Sequence, residues 1–445
     1  MQNPGFNFQN TYTELPSCFF TETKADPVKE PDLIILNEDL CKDIDLDFNL
    51  ITKIETASLL SGNLFLSNMR PFSQAYAGHQ FGYFTNLCDG RALMLGEHVT
   101  KYGKRYDVQF KGSGPTPYSR QGDGKAVLGP MLREYIVSEA MNSLKISTTR
   151  SLAVVKTGEN ILRETLLPGA ILTRLASSHI RVGTFQYAAA MQEKTFLQQL
   201  FDYTIKRHYP QILNSKEPAL ELINVLMKKQ IELVTDWMRV GFIHGVMNTD
   251  NTTLSGETID YGPCAFMDNY KISTVFSSVD TQGRYAYGNQ PMITQWNIAR
   301  FSESLLPLIA KNPKDGIKVA EDIIQTFPKL YKTSWIKMVK NKLGISGEEK
   351  EDEKLINDLL NLMEKNSVDY TNTFLDMTYE TFSKGSFYKS EEFKKWYERY
   401  LKRLENGFLA KKESFNLMRS NNPCVIPRNH NVESVIKEAL KNNYA

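Results

Sequence analysis

Cysteine is scarce in this chain: five in 445 residues (Cys18, Cys41, Cys88, Cys264 and Cys424), widely spaced and with no C-x-x-C pair. That pattern disfavours a disulfide framework and a zinc site and fits a reducing compartment. Long hydrophobic runs are missing too. No window reaches the roughly 18 apolar residues of a membrane span, and Met1 to Asn10 has neither the basic flank nor the apolar core of a signal peptide. Charge of one sign is not in excess, since 53 Lys and Arg face 51 Asp and Glu for a net +2, which gives no electrostatic case for nucleic-acid binding. No internal repeat is present. These absences lead us to expect a soluble cytoplasmic protein with neither membrane nor nucleic acid as a partner; a monomer is expected, although no motif fixes the oligomeric state.

What is there is ordinary globular composition, 41% hydrophobic and 11% aromatic, in a chain longer than one compact core usually is, so two lobes are expected. Residues 1–68 read as an arm with short helices between Glu38 and Leu66, packed on a larger body. Residues 69–190 are strand-rich. Arg91 to His98 and Tyr106 to Lys111 predict two antiparallel strands, with Val108 and Phe110 on one face and Asp107, Gln109 and Lys111 on the other. Lys111 then meets the glycine turn Gly112-Ser-Gly114, which suits a phosphate, although an exposed lysine reads equally well. A helix is predicted from Pro130 to Leu144. Its Glu134 and Glu139 point to different faces, so one of them can meet Lys111. Strands at Ser151 to Val155 and Ala170 to Leu175 lead to Arg174 and Arg181, a candidate phosphate clamp or else two surface ion pairs.

From about residue 190 the pattern becomes helical, with apolar recurrence at i, i+3 and i+4 over Thr195 to His208 and Ala219 to Val240. Leu355, Leu359, Leu360 and Met363 read as core. A β-rich lobe followed by a helical lobe, 191–445, is the order of an α+β, protein-kinase-like two-lobed fold, a β-rich N-lobe and a helical C-lobe with N- and C-terminal additions.

The polar stretch at the start of the helical lobe is the most informative. His244-Gly-Val-Met-Asn-Thr-Asp-Asn251 is followed by Asp260-Tyr-Gly262. Thr252 to Ile259 reads as a short hairpin turning at Ser255-Gly256-Glu257, which would set Asn251 beside Asp260 as hard oxygen ligands for Mg²⁺. Kinase catalytic loops read H-R-D-x-x-x-x-N and are followed by a metal-binding D-F-G. His244 and Asn251 have that separation and Asp260-Tyr-Gly262 stands for D-F-G. The position of the kinase base, however, is Val246, which takes no proton. Asp250 offers a displaced carboxylate.

The motifs Tyr76-Ala-Gly-His-Gln-Phe-Gly82, Asp89-Gly-Arg91, Lys111-Gly-Ser-Gly-Pro-Thr-Pro-Tyr-Ser-Arg120, Gly122-Asp-Gly124, His244 to Asn251, Asp260-Tyr-Gly-Pro263 and Gly283-Arg-Tyr-Ala-Tyr-Gly-Asn-Gln-Pro291 together resemble the selenoprotein O family. The resemblance runs from about residue 12 to Pro427-Arg-Asn-His430. It implies a kinase-like pseudokinase that transfers AMP from ATP to Ser, Thr or Tyr hydroxyls of proteins, with the nucleotide reversed relative to kinases. It further implies that Lys111 pairs with Glu134 (Glu139 as second choice) to hold phosphates, that Gly90, Arg91, Asp123 and Gly124 line the nucleotide, and that Arg174 and Arg181 bind its phosphates. Asn251 and Asp260 would hold Mg²⁺, with Mn²⁺ as a substitute, and Asp250 would accept the hydroxyl proton. Other readings are a phosphotransferase of the aminoglycoside-kinase type and a silent nucleotide-binding scaffold. Two departures stand out. Cys88 occupies a place where the family commonly has glycine, and the sequence closes at Asn442-Asn-Tyr-Ala445 without the C-terminal C-x-x-C or cysteine-selenocysteine pair that would partner Cys264. Cys424 is the nearest alternative partner in sequence.

Overall fold

The computed structural model describes residues 1–382 and 385–444, so Ala445, the last residue of the closing stretch, lies outside them. Ten strands precede residue 177: β1 (Phe8–Gln9), β2 (Phe20–Glu22), β3 (Asp32–Leu36), β4 (Phe72–Gln74), β5 (Ala77–Gln80), β6 (Tyr83–Asn86), β7 (Ala92–Val99), β8 (Arg105–Lys111), β9 (Arg150–Leu162) and β10 (Leu166–Ala176). Eight of them form one antiparallel sheet in the order β2-β4-β7-β8-β10-β9-β3, with β1 also beside β7; β5 and β6 make a separate two-stranded ribbon. Three of the sheet's strands therefore come from the first 68 residues.

The two faces of this sheet differ, and the period-2 alternation of β8 shows why. Val108 and Phe110 are fully buried in an apolar cluster with Phe6, Leu40, Leu59 and Leu152. The helices α1 (Glu38–Asp43) and α2 (Lys53–Leu59) cover that side. Asp107, Gln109 and Lys111 point the other way and are buried as well, so the second face carries a polar row under the helical half of the molecule. In register beside it, β10 sets Arg174 opposite Gln109. The helix α3 (Leu128–Ser143) packs on this side and delivers Glu134, 1% exposed, to the same place.

The helical half begins with α4 (Val182–Ala190), α5 (Lys194–His208) and α6 (Pro218–Val240), then α7 (Gln290–Ile309) after the polar stretch 244–262. The apolar stripe of α6, including Leu222, Ile223, Leu226 and Met227, meets Phe185 of α4, Leu200 of α5 and Phe301 of α7 in one core. Gly241 ends α6 in the left-handed conformation at φ 72°, which a side chain would resist. Two short strands, β11 (Phe242–Ile243) and β12 (Ala265–Phe266), pair across the base of the 244–262 stretch. Further helices run from Pro313 to Ala439, and Leu355, Leu359, Leu360 and Met363 lie in their core as expected. Among the described residues, no helix is long and apolar enough to cross a membrane.

The hairpin expected at 252–259 does not form. The Thr253 hydroxyl accepts from the Glu257 N–H at 2.9 Å and donates to the Glu257 carbonyl at 2.7 Å, closing the segment through a side chain. Its two limbs pair elsewhere: Leu254 N–H donates to Ile180 at 2.9 Å, and Thr258 N–H donates to Ser147 at 2.9 Å. The Glu257 carboxylate, half-buried, accepts from Ser177 and Ser255, which pins the turn inward.

Candidate active site

The polar face of the sheet and the 244–262 stretch line a cavity of about 930 Å³. Of the residues singled out from sequence, Gly90, Arg91, Lys111, Asp123, Gly124, Arg174, Arg181, Asp250, Asn251 and Asp260 all line it. Glu134 lies just behind the wall. Segments separated by up to about 170 positions meet here because the strand ends, α3 and the loop after α6 converge on one point.

That point is Asp260. Its Oδ1 accepts from Lys111 Nζ at 2.7 Å and from Arg174 Nη1 at 2.6 Å, and Arg181 Nη2 lies 3.9 Å from Oδ2. Lys111 also bonds Glu134 at 2.6 Å, and Arg174 bonds Glu134 at 3.1 Å and Gln109 at 2.8 Å. Arg181 faces Asp89 at 3.6 Å and stacks on the Tyr76 ring at 4.2 Å. Three buried cations thus meet three carboxylates, and the arginines are buried members of this web, not surface pairs. Burial alone would raise the Asp260 pKa, but Arg174, Lys111 and Arg181 together hold it well below the usual carboxylate range. Glu139, the other carboxylate of the helix, instead takes a bidentate bond from Arg150 and stays out of the site.

Asp250 is set apart from that web. Burial pushes its carboxyl up to about 6, against the lowering pull of Arg181. Its Oδ1 has no hydrogen-bond partner among the described residues, and neither do Nε and Nη1 of Arg181. Buried polar atoms without partners are uncommon; both residues line the cavity, with Asp250 Oδ1 against Gly78 and Arg181 Nη1 3.6 Å from Asp89. Asn251 donates its amide to Val246 O at 3.0 Å, which leaves its oxygen as the free ligand atom. Val246 itself lines the cavity with no proton-accepting group. His244 is a structural residue: its Nε2 shares a hydrogen bond with Ile259 O at 2.9 Å, and burial lowers its pKa.

Backbone conformation matters at two positions. Asp260 adopts φ 61° and Cys88 φ 60°, both left-handed. The second explains why glycine suits the place before Asp89: a Cβ is disfavoured there, and Cys88 carries that strain. Gly90 has little room, since a Cβ would lie 3.1 Å from Tyr118 O. Asp123 is drawn to Arg163 at 2.8 Å at the cavity rim, a bond that lowers its pKa.

Sequence reasoning missed Asp89, Gln109 and Tyr76 as members of the site. Asp89 and Tyr76 stood inside quoted motifs, and Gln109 alternates with Lys111 along β8, so the periodicity could have named it. His79, considered as a metal ligand, bonds Gln186 at 2.8 Å through Nδ1 and packs on Trp296. Cys264 is a free buried thiol pushed up to about 12 by burial, and Cys424 is free and exposed, so the two are not bonded.

A strand lysine paired with a helix glutamate, and an Asn and an Asp after the helical lobe's first long helix, are the parts protein kinases use to hold a nucleotide. Against solved structures, the chain matches a Toxoplasma gondii rhoptry antigen kinase domain at 10% identity and a TM-score of 0.26, covering 59% of this chain and 86% of that one, too slight a likeness to argue from. Sequence comparison is stronger. The chain is 55% identical over 441 residues to a protein nucleotidyltransferase YdiU of Nitrosococcus oceani, covering 99% of this chain and 90% of that one. It is 54% identical over 437 residues to the protein of that name from Bacillus mycoides, covering 98% and 90%. The family model for protein adenylyltransferase SelO matches residues 4–445, and the chain therefore belongs to the SelO family of protein adenylyltransferases.

Proposed function

We propose that this chain transfers AMP from ATP to Ser, Thr or Tyr hydroxyls of proteins, in the cytoplasm and as a monomer, with the nucleotide held between the 69–190 lobe and the 191–445 lobe. The observation that carries the reading is the pairing of an empty base position at Val246 with a buried carboxylate at Asp250, one of whose oxygens, Oδ1, has no hydrogen-bond partner among the described residues, beside a cluster of three cations.

Lys111, Arg174 and Arg181 are arranged to oppose the charge that builds on the α-phosphoryl group and the leaving pyrophosphate. Glu134 positions Lys111 by its 2.6 Å bond and balances Arg174 from behind. Gly90, Arg91, Asp123 and Gly124 form the wall for the remainder of the nucleotide. The donor set fits a magnesium ion, or manganese in its place: the Asn251 amide oxygen and the Asp260 carboxylate are hard oxygens, few enough that phosphates complete the shell. Bound there, the ion would neutralise phosphate charge as a Lewis acid. Phosphates entering the site give Lys111, Arg174 and Arg181 new partners, which frees Asp260 from its ion pairs. Asp250 takes the proton from the acceptor hydroxyl as its oxygen attacks the α-phosphorus and the bond to pyrophosphate breaks. Its raised pKa makes it a stronger base than an ordinary aspartate while leaving it ionised at neutral pH.

Incubation with ATP labelled on the α- or the γ-phosphate, in the presence of protein acceptors, tests this. Label from the α position alone should appear on protein. Transfer of the γ label would favour phosphorylation, and no transfer of either would favour a scaffold.

A further inference from the structure

Apart from the Tyr76 ring beneath Arg181, the motif Tyr76 to Gly82 carries none of the chemistry above, yet the structure lays it along the residues that lead into Asp250. His79 N–H donates to Thr249 Oγ1 at 2.6 Å, and Phe81 N–H donates to Asn248 Oδ1 at 3.3 Å. N–H groups two apart on a strand point the same way, so one edge of β5 holds both residues that precede Asp250. Tyr285 OH donates to the same Asn248 oxygen at 2.6 Å and fixes it from the other side. Thr249 is fully buried, and without its hydroxyl the His79 N–H would lose its acceptor.

Asp250 itself meets β5 face-on. A Cβ at Gly78 would stand 2.9 Å from Asp250 Oδ1, 3.0 Å from its Cβ and 3.2 Å from its backbone N. Turning the carboxylate relieves only the first of these contacts, because Cβ and N move only with the chain. Gly78 does not have a left-handed φ, so its backbone would accept a side chain. What excludes one is the closeness of Asp250. On the other side, a Cβ at Gly183 of α4 would overlap Ala77 O at 2.0 Å and lie 3.4 Å from Asp250 Cα. Asp250 thus sits in a seat walled by β5 and the first turn of α4.

We propose that Gly78 and Thr249 are positioning residues for Asp250: the missing side chain of the one and the hydroxyl of the other set how far the carboxylate reaches into the cavity. This rests on the reading of Asp250 as the base. Proton transfer needs the base within hydrogen-bond reach of the acceptor hydroxyl, and a misplacement of about 1 Å costs about a hundredfold. A methyl group at Gly78 has to gain about 0.5 Å, from 2.9 Å to ordinary contact at 3.4 Å, which sets the expected loss near tenfold. Lys111 and Arg174 stand on β8 and β10 of the large sheet and keep their hold on the phosphates.

The test uses the full-length protein, α-labelled ATP and the proteins of a cell extract at fixed concentration as acceptors, with binding of α,β-methylene-ATP measured alongside by calorimetry. Gly78→Ala should lower the maximal rate about tenfold while KM for ATP and the Kd of the analogue stay within about twofold of the parent. Thr249→Val should fall in the same way, and Thr249→Ser, which keeps the acceptor for His79 N–H, should return to within about threefold of the parent. If Gly78→Ala does not fold, the Thr249 pair decides. Parent-like maximal rates in Gly78→Ala and Thr249→Val overturn the positioning role, as does a loss of analogue affinity equal to the loss of rate, or a Thr249→Ser no faster than Thr249→Val. Each of these leaves AMP transfer standing. Full transfer by Asp250→Asn removes the base and the positioning role together, and absence of α label with the parent protein overturns the AMP-transfer reading itself.

Discussion

Replacing Asp260 by Asn separates charge from shape. Asn tolerates the left-handed φ of 61° at this position better than most residues, so the substitution removes a charge with little backbone cost. The parent site balances Lys111, Arg174 and Arg181 against Asp260, Glu134 and Asp89; the variant leaves one cation without a counter-ion. At the 2.6 Å separation from Arg174, Coulomb attraction at an effective dielectric of ~20 is about 6 kcal/mol before desolvation is subtracted. Loss of one partner of a buried pair costs roughly 3–5 kcal/mol, and the 24% exposure of the Asp260 side chain puts the expectation near the lower figure, about 3 kcal/mol. Arg174→Gln should cost a similar amount by leaving Glu134 and Asp260 underbalanced. The double variant restores neutrality, so its loss should fall short of the sum by about 1–3 kcal/mol. Urea unfolding followed by circular dichroism gives the three values, provided the m-values agree. In parallel, Asp260→Asn should lose AMP transfer by at least about a hundredfold, on its proposed role in holding the metal ion. Additivity of the two single losses within about 0.5 kcal/mol would refute the idea of a coupled, charge-balanced web, and full transfer by Asp260→Asn would refute its place in the site.

Asp250→Asn should abolish transfer while making the protein more stable at pH 8. The parent carboxyl is raised from 3.8 to about 6, so the charged form costs up to about 3 kcal/mol above pH 6 and nothing below pH 3.8; the melting gap between variant and parent should close as pH falls across that window. His179, fully buried and hydrogen-bonded to Asp107, is lowered by burial from 6.5 to about 4. A base lowered in this way supplies its stability above pH 6.5 and loses it as pH falls toward 4, a span worth roughly 3 kcal/mol, so His179→Gln should flatten the stability profile between those values in denaturant titrations. Gly183→Ala should push Ala77 and the β5–β6 ribbon off α4, costing about 1–3 kcal/mol in unfolding experiments and lowering transfer, because Asp250 packs on that ribbon.

Most of the site was legible because its residues sit in short segments whose chemistry does not depend on distant neighbours. The step from His244 to Asn251 and the following Asp260 fixed the catalytic stretch, and alternation along β8 put Lys111 on the face away from Val108 and Phe110. What misled the local reading was competition from side chains. Thr252 to Ile259 has the composition of a hairpin, yet the Thr253 hydroxyl captures the Glu257 N–H and carbonyl that a hairpin would use, and the carbonyls of Ile180 and Ser147 accept from Leu254 and Thr258. Gly183 gave no hint of its closeness to Ala77, a contact between segments about a hundred residues apart.

The sequence by itself determined the kind of chemistry, because residue identity carries it: a lysine at a glycine turn, two arginines, an Asn and an Asp at kinase-like spacing, and valine where a base is needed. It determined the order of the lobes through the change from period 2 to period 3.6. Only the tertiary structure decided which glutamate meets Lys111, since Glu134 and Glu139 are equivalent on the helix until α3 is packed on β10. It also decided that Arg174 and Arg181 are buried opposite Asp260, that Asp250 Oδ1 is left without a hydrogen-bond partner among the described residues, and that Gly78 of β5 packs against Asp250. Charge balance and burial are sums over neighbours from many parts of the chain, and those neighbours exist only once the fold has brought them together.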